Sequence, residues 1–180
     1  MLPYSDNKTL TVINLLGGPG VGKSTSAAGL FYLMKRDYFK VELVTETAKD
    51  MVWEDRVTML TEQDYIFAKQ NNRLRRLVGK VEYAVTDCPL LLSVFYTPWD
   101  FPPHFKAFAE DVFRSYDNIN IFLNRKKEFV QAGRVHTEEQ SNLISSDIKG
   151  LLDLLHLPYH VVDADEHAPE KILEIIKNKT

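Results

Sequence analysis

Nine residues near the N-terminus, GGPGVGKST at positions 17–25, have the types and spacing needed to hold phosphate. They fit the pattern G-x-x-x-x-G-K-[ST], in which glycines let backbone N–H groups converge on an anion because no Cβ atom blocks them. Lys23 supplies a positive charge for the β- and γ-phosphates, and the hydroxyl of Ser24 is a ligand for Mg²⁺. The predicted nucleotide-binding residues are Gly17, Gly18, Pro19, Gly20, Val21, Gly22, Lys23, Ser24 and Thr25.

The segments around this loop are those that a phosphate site requires. An apolar run at 10–16 precedes it and an apolar-periodic stretch at 27–34 follows it, which predicts a strand, a glycine-rich turn and a helix. The N-terminal end of that helix adds its positive dipole to the charge of Lys23. This context favours phosphate binding over a glycine-rich turn that matches the pattern by coincidence.

Strand-like and helical segments alternate along the chain, and only residues 47–60 have an ambiguous pattern. Thr61 and Asp64 resemble a capping box at the start of a long helix. The alternation predicts an α/β fold with a parallel sheet and helices on both of its faces. The predicted strands are 9–16, 41–45, 81–86, 118–123 and 159–162, and the predicted helices are 24–36, 61–79, 104–116, 138–156 and 169–178.

In a sheet of this kind, ligands bind beyond the carboxyl ends of the strands. The residues at those ends are therefore expected to share one site with the glycine-rich loop. They are Glu46, Asp87, Asn124, Arg125 and Asp163.

Length and composition limit the classes of protein to consider. A length of 180 residues predicts one domain, 1–180, and a net charge of −3 makes binding of long nucleic acid by charge alone a poor expectation. Cys88 is the single cysteine, so the sequence excludes an internal disulfide and a cysteine-cluster metal site, and the five histidines have no metal-binding spacing. The absence of a signal-peptide pattern and of a membrane-length apolar run predicts a cytoplasmic protein without membrane partners.

With these motifs, the chain resembles small P-loop kinases of the nucleoside and nucleotide kinase group. More narrowly, it is similar to short ATP-binding AAA proteins of phage genomes that are grouped with nicotinamide-riboside-kinase-like proteins. The resemblance covers nearly the whole chain and rests on GGPGVGKST, on VELVTETAKD at 41–50, on VTDCPLLL at 85–92 and on the Arg-rich segment 125–134. It implies a three-layer P-loop NTPase fold with a five-stranded parallel sheet in the order 2-3-1-4-5. It also implies ATP and Mg²⁺ as cofactors, a mobile lid at about 124–137, and the host cytoplasm if the protein is phage-encoded.

Two carboxylates at strand ends are predicted to take part in the chemistry. Asp87 can hold Mg²⁺ opposite Ser24, and the alternative is that it caps a helix starting at Pro89. Glu46 resembles the base that orients the acceptor hydroxyl in nucleoside kinases, and the alternative is a surface or capping glutamate. The expected metal ligands are Ser24 and Asp87.

The segment expected to form the lid carries two arginines that correspond by position to the lid arginines of the family. Guanidinium groups bind phosphate oxygens in pairs and stabilise charge during phosphoryl transfer. The alternative is a solvated run of charge. The predicted catalytic residues are Lys23, Glu46, Asp87, Arg125 and Arg134.

Aromatic, amide and basic side chains between positions 46 and 73 suggest an acceptor pocket in which a ring stacks and amides read its edge. Tyr65 and Phe67 lie two residues apart on a predicted helix and point apart, so at least one of them belongs to the core. The predicted substrate-binding residues are Glu46, Trp53, Gln63, Phe67, Gln70 and Arg73.

These residues predict an ATP- and Mg²⁺-dependent kinase that phosphorylates a nucleoside, a nucleotide or a related ribosylated base. Two alternatives stay open. A kinase acting on a hydroxyl-bearing base or an end in DNA is suggested by a basic cluster on one helix, and a nucleotide-dependent ATPase or switch would need no small-molecule acceptor. The cluster comprises Lys69, Arg73, Arg75, Arg76 and Lys80. The sequence leaves open the acceptor, the choice between ATP and GTP, and the oligomeric state.

Overall fold

The computed structural model describes residues 9–129 and 136–179, and these ranges contain a five-stranded parallel sheet. The strands are β1 Thr11–Leu16, β2 Val41–Val44, β3 Tyr83–Thr86, β4 Asp117–Arg125 and β5 His160–Ala164. Their order across the sheet is β2-β3-β1-β4-β5, and each neighbouring pair is parallel. The order implied by the resemblance is confirmed, and so is the three-layer P-loop arrangement.

Helices connect the strands and cover both faces of the sheet. They are α1 Lys23–Arg36, α2 Thr47–Trp53, α3 Gln63–Arg75, α4 Leu91–Tyr96, α5 His104–Arg114, α6 Glu138–Leu154 and α7 Ala168–Lys179, and a short 3₁₀ helix spans Val57–Thr61. The segment 47–60, ambiguous in sequence, thus forms α2 and this 3₁₀ helix. Within the described part of the chain, no helix has the length and apolarity to cross a membrane.

Alternate side chains of β1 pack into two hydrophobic cores, one on each face of the sheet. Ile13 and Leu15 pack on the side of α1 and α7, whereas Val12 and Leu16 pack on the side of α4, α5 and α6. Because both faces are buried, β1 lacks the polar alternation of a half-exposed strand. Its one buried polar residue is Asn14, whose side-chain amide donates to the side-chain oxygens of Asn118 and Asn120. Burial of a side chain such as Leu15 contributes roughly 1.5–3 kcal/mol, so the central strand is a firm base for the loop that follows it.

The capping box predicted at Thr61 is wrong. Thr61 ends the 3₁₀ helix, where its hydroxyl donates to the carbonyl oxygen of Thr58 at 3.0 Å, and α3 starts after Glu62 without a side-chain cap. A complete capping box instead begins α6, where the Thr137 hydroxyl accepts from the N–H of Gln140 and the Gln140 side chain accepts from the N–H of Thr137. The N-cap position of α3 is therefore occupied by Glu62, and the Thr61 hydroxyl belongs to the preceding 3₁₀ helix.

Candidate functional site

The glycine-rich loop, hereafter the P-loop, joins the end of β1 to the first residue of α1. At Gly22 the backbone has a φ of 108°, a left-handed conformation that favours glycine, and a Cβ atom added there would lie 3.4 Å from the Cβ of Ala164. Gly22 is also the residue immediately before α1, so the turn delivers the chain into the helix. The N-terminal N–H groups and positive dipole end of α1 therefore face the space that the loop encloses.

Lys23 crosses the P-loop from the first position of α1. Its ammonium donates to the carbonyl oxygen of Gly17 at 2.8 Å and to that of Gly18 at 3.0 Å. A positive charge is thereby held at the loop, on a flexible stem that can exchange carbonyl oxygens for an anion.

Asp87 follows the last residue of β3 and is 4% exposed. Its Oδ1 atom is buried and has no hydrogen-bond partner within the described residues. The capping alternative does not apply, because α4 begins after Leu90 and has no side-chain cap. A buried carboxylate oxygen without a protein donor is costly to keep and fits a cation ligand, so the donor set here is compatible with the predicted metal role.

Four charged side chains act on the pKa of the buried thiol of Cys88. Burial raises the pKa of Cys88 well above its usual value, and the charges of Glu46 and Asp87 raise this pKa further, whereas Lys23 and Arg73 lower it. Each of these groups must lie within electrostatic reach of one sulfur atom. The strand register places Val44 and Asn14 on either side of Thr86, so β2 and β3 end at the same edge of the sheet as the P-loop. Among the described residues, no group of three or more His, Cys, Asp or Glu side chains forms a metal cluster.

Glu46 lies half-buried between β2 and α2, and Tyr96 on α4 faces the same region. Burial, followed by the charge of Glu46, raises the pKa of Tyr96 to about 12. The ring of Tyr96 packs edge-on against Phe95 and remains 39% exposed. Tyr96 was not predicted from the sequence, although a tyrosine that ends the apolar segment after Asp87 could have been recognised as a candidate site residue.

The side chains of Gln70 and Arg73, both predicted to bind substrate, contact protein groups. Gln70 is 1% exposed; its Oε1 accepts from the Thr47 hydroxyl at 3.0 Å, and its Nε2 lies 3.3 Å from the hydroxyl oxygen of Thr86. Arg73 donates to the carbonyl oxygen of Thr45 at 2.8 Å. These contacts join α3 to the ends of β2 and β3, so both side chains help to hold these strand ends in place.

Gln63 is similarly engaged, since its buried amide donates to the carbonyl oxygen of Leu60 at 2.7 Å. The expectation that Phe67 stacks on an acceptor ring is wrong. Phe67 is 3% exposed and packs edge-on against Phe105 and Phe108 with ring centroids 5.7 Å apart, within the core between α3 and α5. By contrast, Trp53 at the end of α2 is exposed, and its binding role stays a prediction.

Arg125 ends β4 on the outer side of the P-loop. Its Nη1 pairs with Glu138 at 3.2 Å, its Nη2 donates to the Ser141 hydroxyl, and the guanidinium lies 4.9 Å from the ring centroid of Phe129. The predicted lid at 124–137 is described only at 124–129 and 136–137. Arg134 lies outside the described residues, so its catalytic role stays a prediction.

The AAA domain family matches residues 12–169, which is most of the chain and includes every strand described above except the first residue of β1. The chain belongs to the AAA domain family. No curated protein sequence matches it.

Solved structures similar to this AAA domain protein include deoxyadenosine kinase from M. mycoides with bound dATP. That structure has a TM-score of 0.56 and 18% sequence identity, and the match covers 93% of this chain and 98% of the kinase. The same enzyme with bound dCTP has a TM-score of 0.56 and 16% identity, over 94% of this chain and 100% of the kinase. At this identity the likeness shows a shared P-loop fold.

Proposed function

We propose that this AAA domain protein is an ATP- and Mg²⁺-dependent phosphotransferase that phosphorylates a nucleoside, a nucleotide or a related ribosylated base. The observation that supports it best is that Glu46, Asp87 and the P-loop follow the neighbouring strands β2, β3 and β1 at the carboxyl edge of the sheet. Phosphoryl transfer from one oxygen to another uses three such groups. They are a phosphate-binding lysine, a buried carboxylate and a second, more accessible carboxylate. The shared fold with a deoxyadenosine kinase is consistent with this choice of acceptor.

In this proposal the P-loop at 17–25 binds the phosphates of ATP through its backbone N–H groups and the N-terminus of α1. The Lys23 ammonium leaves the carbonyl oxygens of Gly17 and Gly18 and moves to the phosphate oxygens, where it stabilises charge in the transition state. The nine loop residues are the proposed nucleotide site, and Ser24 and Asp87 would hold Mg²⁺. The metal, when bound, neutralises phosphate charge during transfer.

Glu46 is the proposed acceptor-orienting base. It accepts a hydrogen bond from the acceptor hydroxyl and receives its proton as that oxygen bonds to the γ-phosphorus, while the bond from the γ-phosphorus to the β–γ bridging oxygen breaks and ADP leaves. Glu46 is only half-buried after the end of β2, so a small molecule can reach its carboxylate. Trp53 remains the proposed stacking partner of the acceptor ring, because it is exposed at the end of the helix that follows Glu46.

A coupled ADP-release assay over a panel of nucleosides and nucleotides tests the proposal. We expect that one class of acceptor stimulates ADP release and that the reaction requires Mg²⁺. Glu46→Gln preserves the side-chain shape and should remove most of the acceptor-stimulated rate while ADP binding persists. Glu42→Gln is the matched control, because Glu42 lies on β2, ahead of Glu46 in the chain, and forms an exposed ion pair with Lys35. No stimulation by any acceptor across a broad panel would refute the kinase.

A DNA-binding measurement and the ADP-release assay without an acceptor separate the two alternatives. A kinase acting on DNA requires duplex binding at low salt, and two members of the basic cluster on α3 contact the protein itself: Arg73 binds the Thr45 carbonyl oxygen, and Lys69 lies 5.0 Å from the ring centroid of Tyr65. An ATPase or switch predicts slow hydrolysis that no acceptor accelerates. Either result would replace the small-molecule acceptor in this proposal.

A further inference from the structure

Helix α6 contacts the outer side of the P-loop through two serines one helical turn apart. The Ser141 hydroxyl donates to the carbonyl oxygen of Pro19 at 2.6 Å, and the Ser145 hydroxyl accepts from the N–H of Gly18 at 2.9 Å. Residues four apart lie on the same face of a helix, so both hydroxyls reach the loop together. The backbone groups at 18 and 19 are thereby held by side chains more than 120 positions away.

The approach of α6 to the loop is close enough to require glycine at position 18. A Cβ atom added to Gly18 would lie 2.3 Å from the carbonyl oxygen of Ser141, a distance that no real Cβ contact shows. Backbone is thus packed on backbone, and Ser141 is fully buried in the contact. The first two turns of α6 and the start of the P-loop cannot move apart without breaking these hydrogen bonds.

Arg125 closes the same contact from the end of β4. Its Nη2 donates to the hydroxyl of Ser141 and lies 3.5 Å from the carbonyl oxygen of Pro19, while its Nη1 pairs with Glu138. The side chain is only 11% exposed. Its fork therefore joins β4, the N-terminal turn of α6 and the P-loop.

We infer that Arg125, Ser141 and Ser145 form a clamp that holds the P-loop in its phosphate-binding conformation and couples it to α6. Arg125 is then a positioning residue, in place of the catalytic role predicted for it from its place in the sequence. This inference uses the nucleotide-binding part of the proposed function and is independent of the acceptor.

The physical reason is preorganisation. Backbone N–H groups bind phosphate tightly only when the loop already holds them converged, since ordering the loop on binding costs conformational entropy. Loss of one clamp hydrogen bond should weaken nucleotide binding by roughly three- to tenfold, which is the scale of a single net hydrogen bond. A residue that touched the γ-phosphate in flight would instead lower kcat strongly.

Calorimetric ADP affinity of the full chain tests the clamp. Ser145→Ala should weaken ADP binding, and Ser145→Thr should restore it because the hydroxyl returns. Ser146→Ala is the matched control: this neighbouring serine is exposed on the same helix, and its loss should leave ADP affinity unchanged. Arg125→Lys retains the charge but cannot bridge three partners, so it should also weaken ADP binding and should raise KM for ATP with kcat changed only a few-fold.

The outcomes are distinct. ADP affinities of Ser145→Ala and Arg125→Lys within twofold of wild type, even with lowered unfolding temperatures, would show that these contacts support only the fold and would overturn the clamp. A hundredfold loss of kcat in Arg125→Lys with ADP affinity unchanged would overturn it in favour of a catalytic Arg125. Failure of the wild-type protein to bind ADP would refute the proposed function itself, and the clamp with it. Weakened binding restored by Ser145→Thr supports the clamp.

Discussion

The ammonium of Lys23 lies 2.8 Å from the carbonyl oxygen of Gly17, so the first residue of α1 bridges the P-loop back to its first glycine. The charge is therefore already at the mouth of the loop, paired with oxygens that attract it less strongly than phosphate. Binding of a nucleotide then exchanges partners at Lys23 and needs no long movement of the helix.

Lys23→Ala should abolish turnover and leave the protein folded. The charge is needed in the transition state, whereas each hydrogen bond from Lys23 to the carbonyl oxygens of Gly17 and Gly18 contributes only about 0.5–1.5 kcal/mol to folding. Circular dichroism and the thermal unfolding midpoint would report the fold, and the ADP-release assay would report turnover. Lys35→Ala is the control on the same helix, because Lys35 forms an exposed ion pair with Glu42. Retained turnover in a folded Lys23→Ala variant would contradict the assignment of the loop.

Gln70→Ala should destabilise the protein by about 2 kcal/mol, because it leaves the buried hydroxyl of Thr47 without its acceptor, removes one donor from the hydroxyl of Thr86 and opens a cavity. Denaturant titration measures the change in the free energy of unfolding. Asn72→Ala, at an exposed amide on the same helix, should cost less than about 0.5 kcal/mol. An unchanged free energy of unfolding combined with a lost acceptor response would return Gln70 to the substrate-binding role first predicted for it.

Tyr96 should make the protein less stable in strong alkali. Burial and the charge of Glu46 raise the pKa of Tyr96 from 10.0 to about 12, so the folded protein retains a proton that the unfolded chain releases. The free energy of unfolding therefore falls as the pH rises from 10 to 12, and Tyr96 has no such effect below pH 10.

Tyr96→Phe removes this titration. Denaturant unfolding at about pH 9 and about pH 11 should show a smaller loss of stability in the variant than in the wild-type protein. Equal losses in the two proteins would mean that the phenol ionises with an ordinary pKa and lies outside the influence of Glu46.

Arg134→Ala should lower kcat by roughly a hundredfold or more, the scale for loss of one transition-state donor, with ATP affinity changed far less. A lid excludes water so that the γ-phosphoryl group reaches the acceptor, and its arginine acts mainly when closed. Steady-state kinetics with calorimetric ATP affinity would measure both quantities. Lys126→Ala should be nearly neutral, because its ion pair with Asp163 is exposed. Full kcat in Arg134→Ala would mean that 124–137 is an ordinary surface loop.

The amino-acid sequence by itself determined the layers of the fold and the phosphate loop. A short, mostly apolar run that ends at a glycine-rich turn, such as β1, is typical of a strand buried on both faces, and such a turn between a strand and a helix is typical of phosphate binding. Local periodicity is a property of neighbouring residues, so the five strands and the five longest helices were predicted within a few residues, whereas the short helices α2 and α4 were not predicted. The strand order came from resemblance to a family, and the observed pairing agrees with it.

Only the tertiary structure decided which polar side chains face the cleft and which are used within the protein. The helical period places Phe67 and Gln70 on one buried side of α3, but it does not say that Phe105 and Thr47 occupy the space beside them. The link from Ser141 to Pro19 joins positions 122 apart. Contacts of this kind depend on how whole elements pack, because the same side chain can satisfy its hydrogen bonds with a ligand or with a distant backbone group.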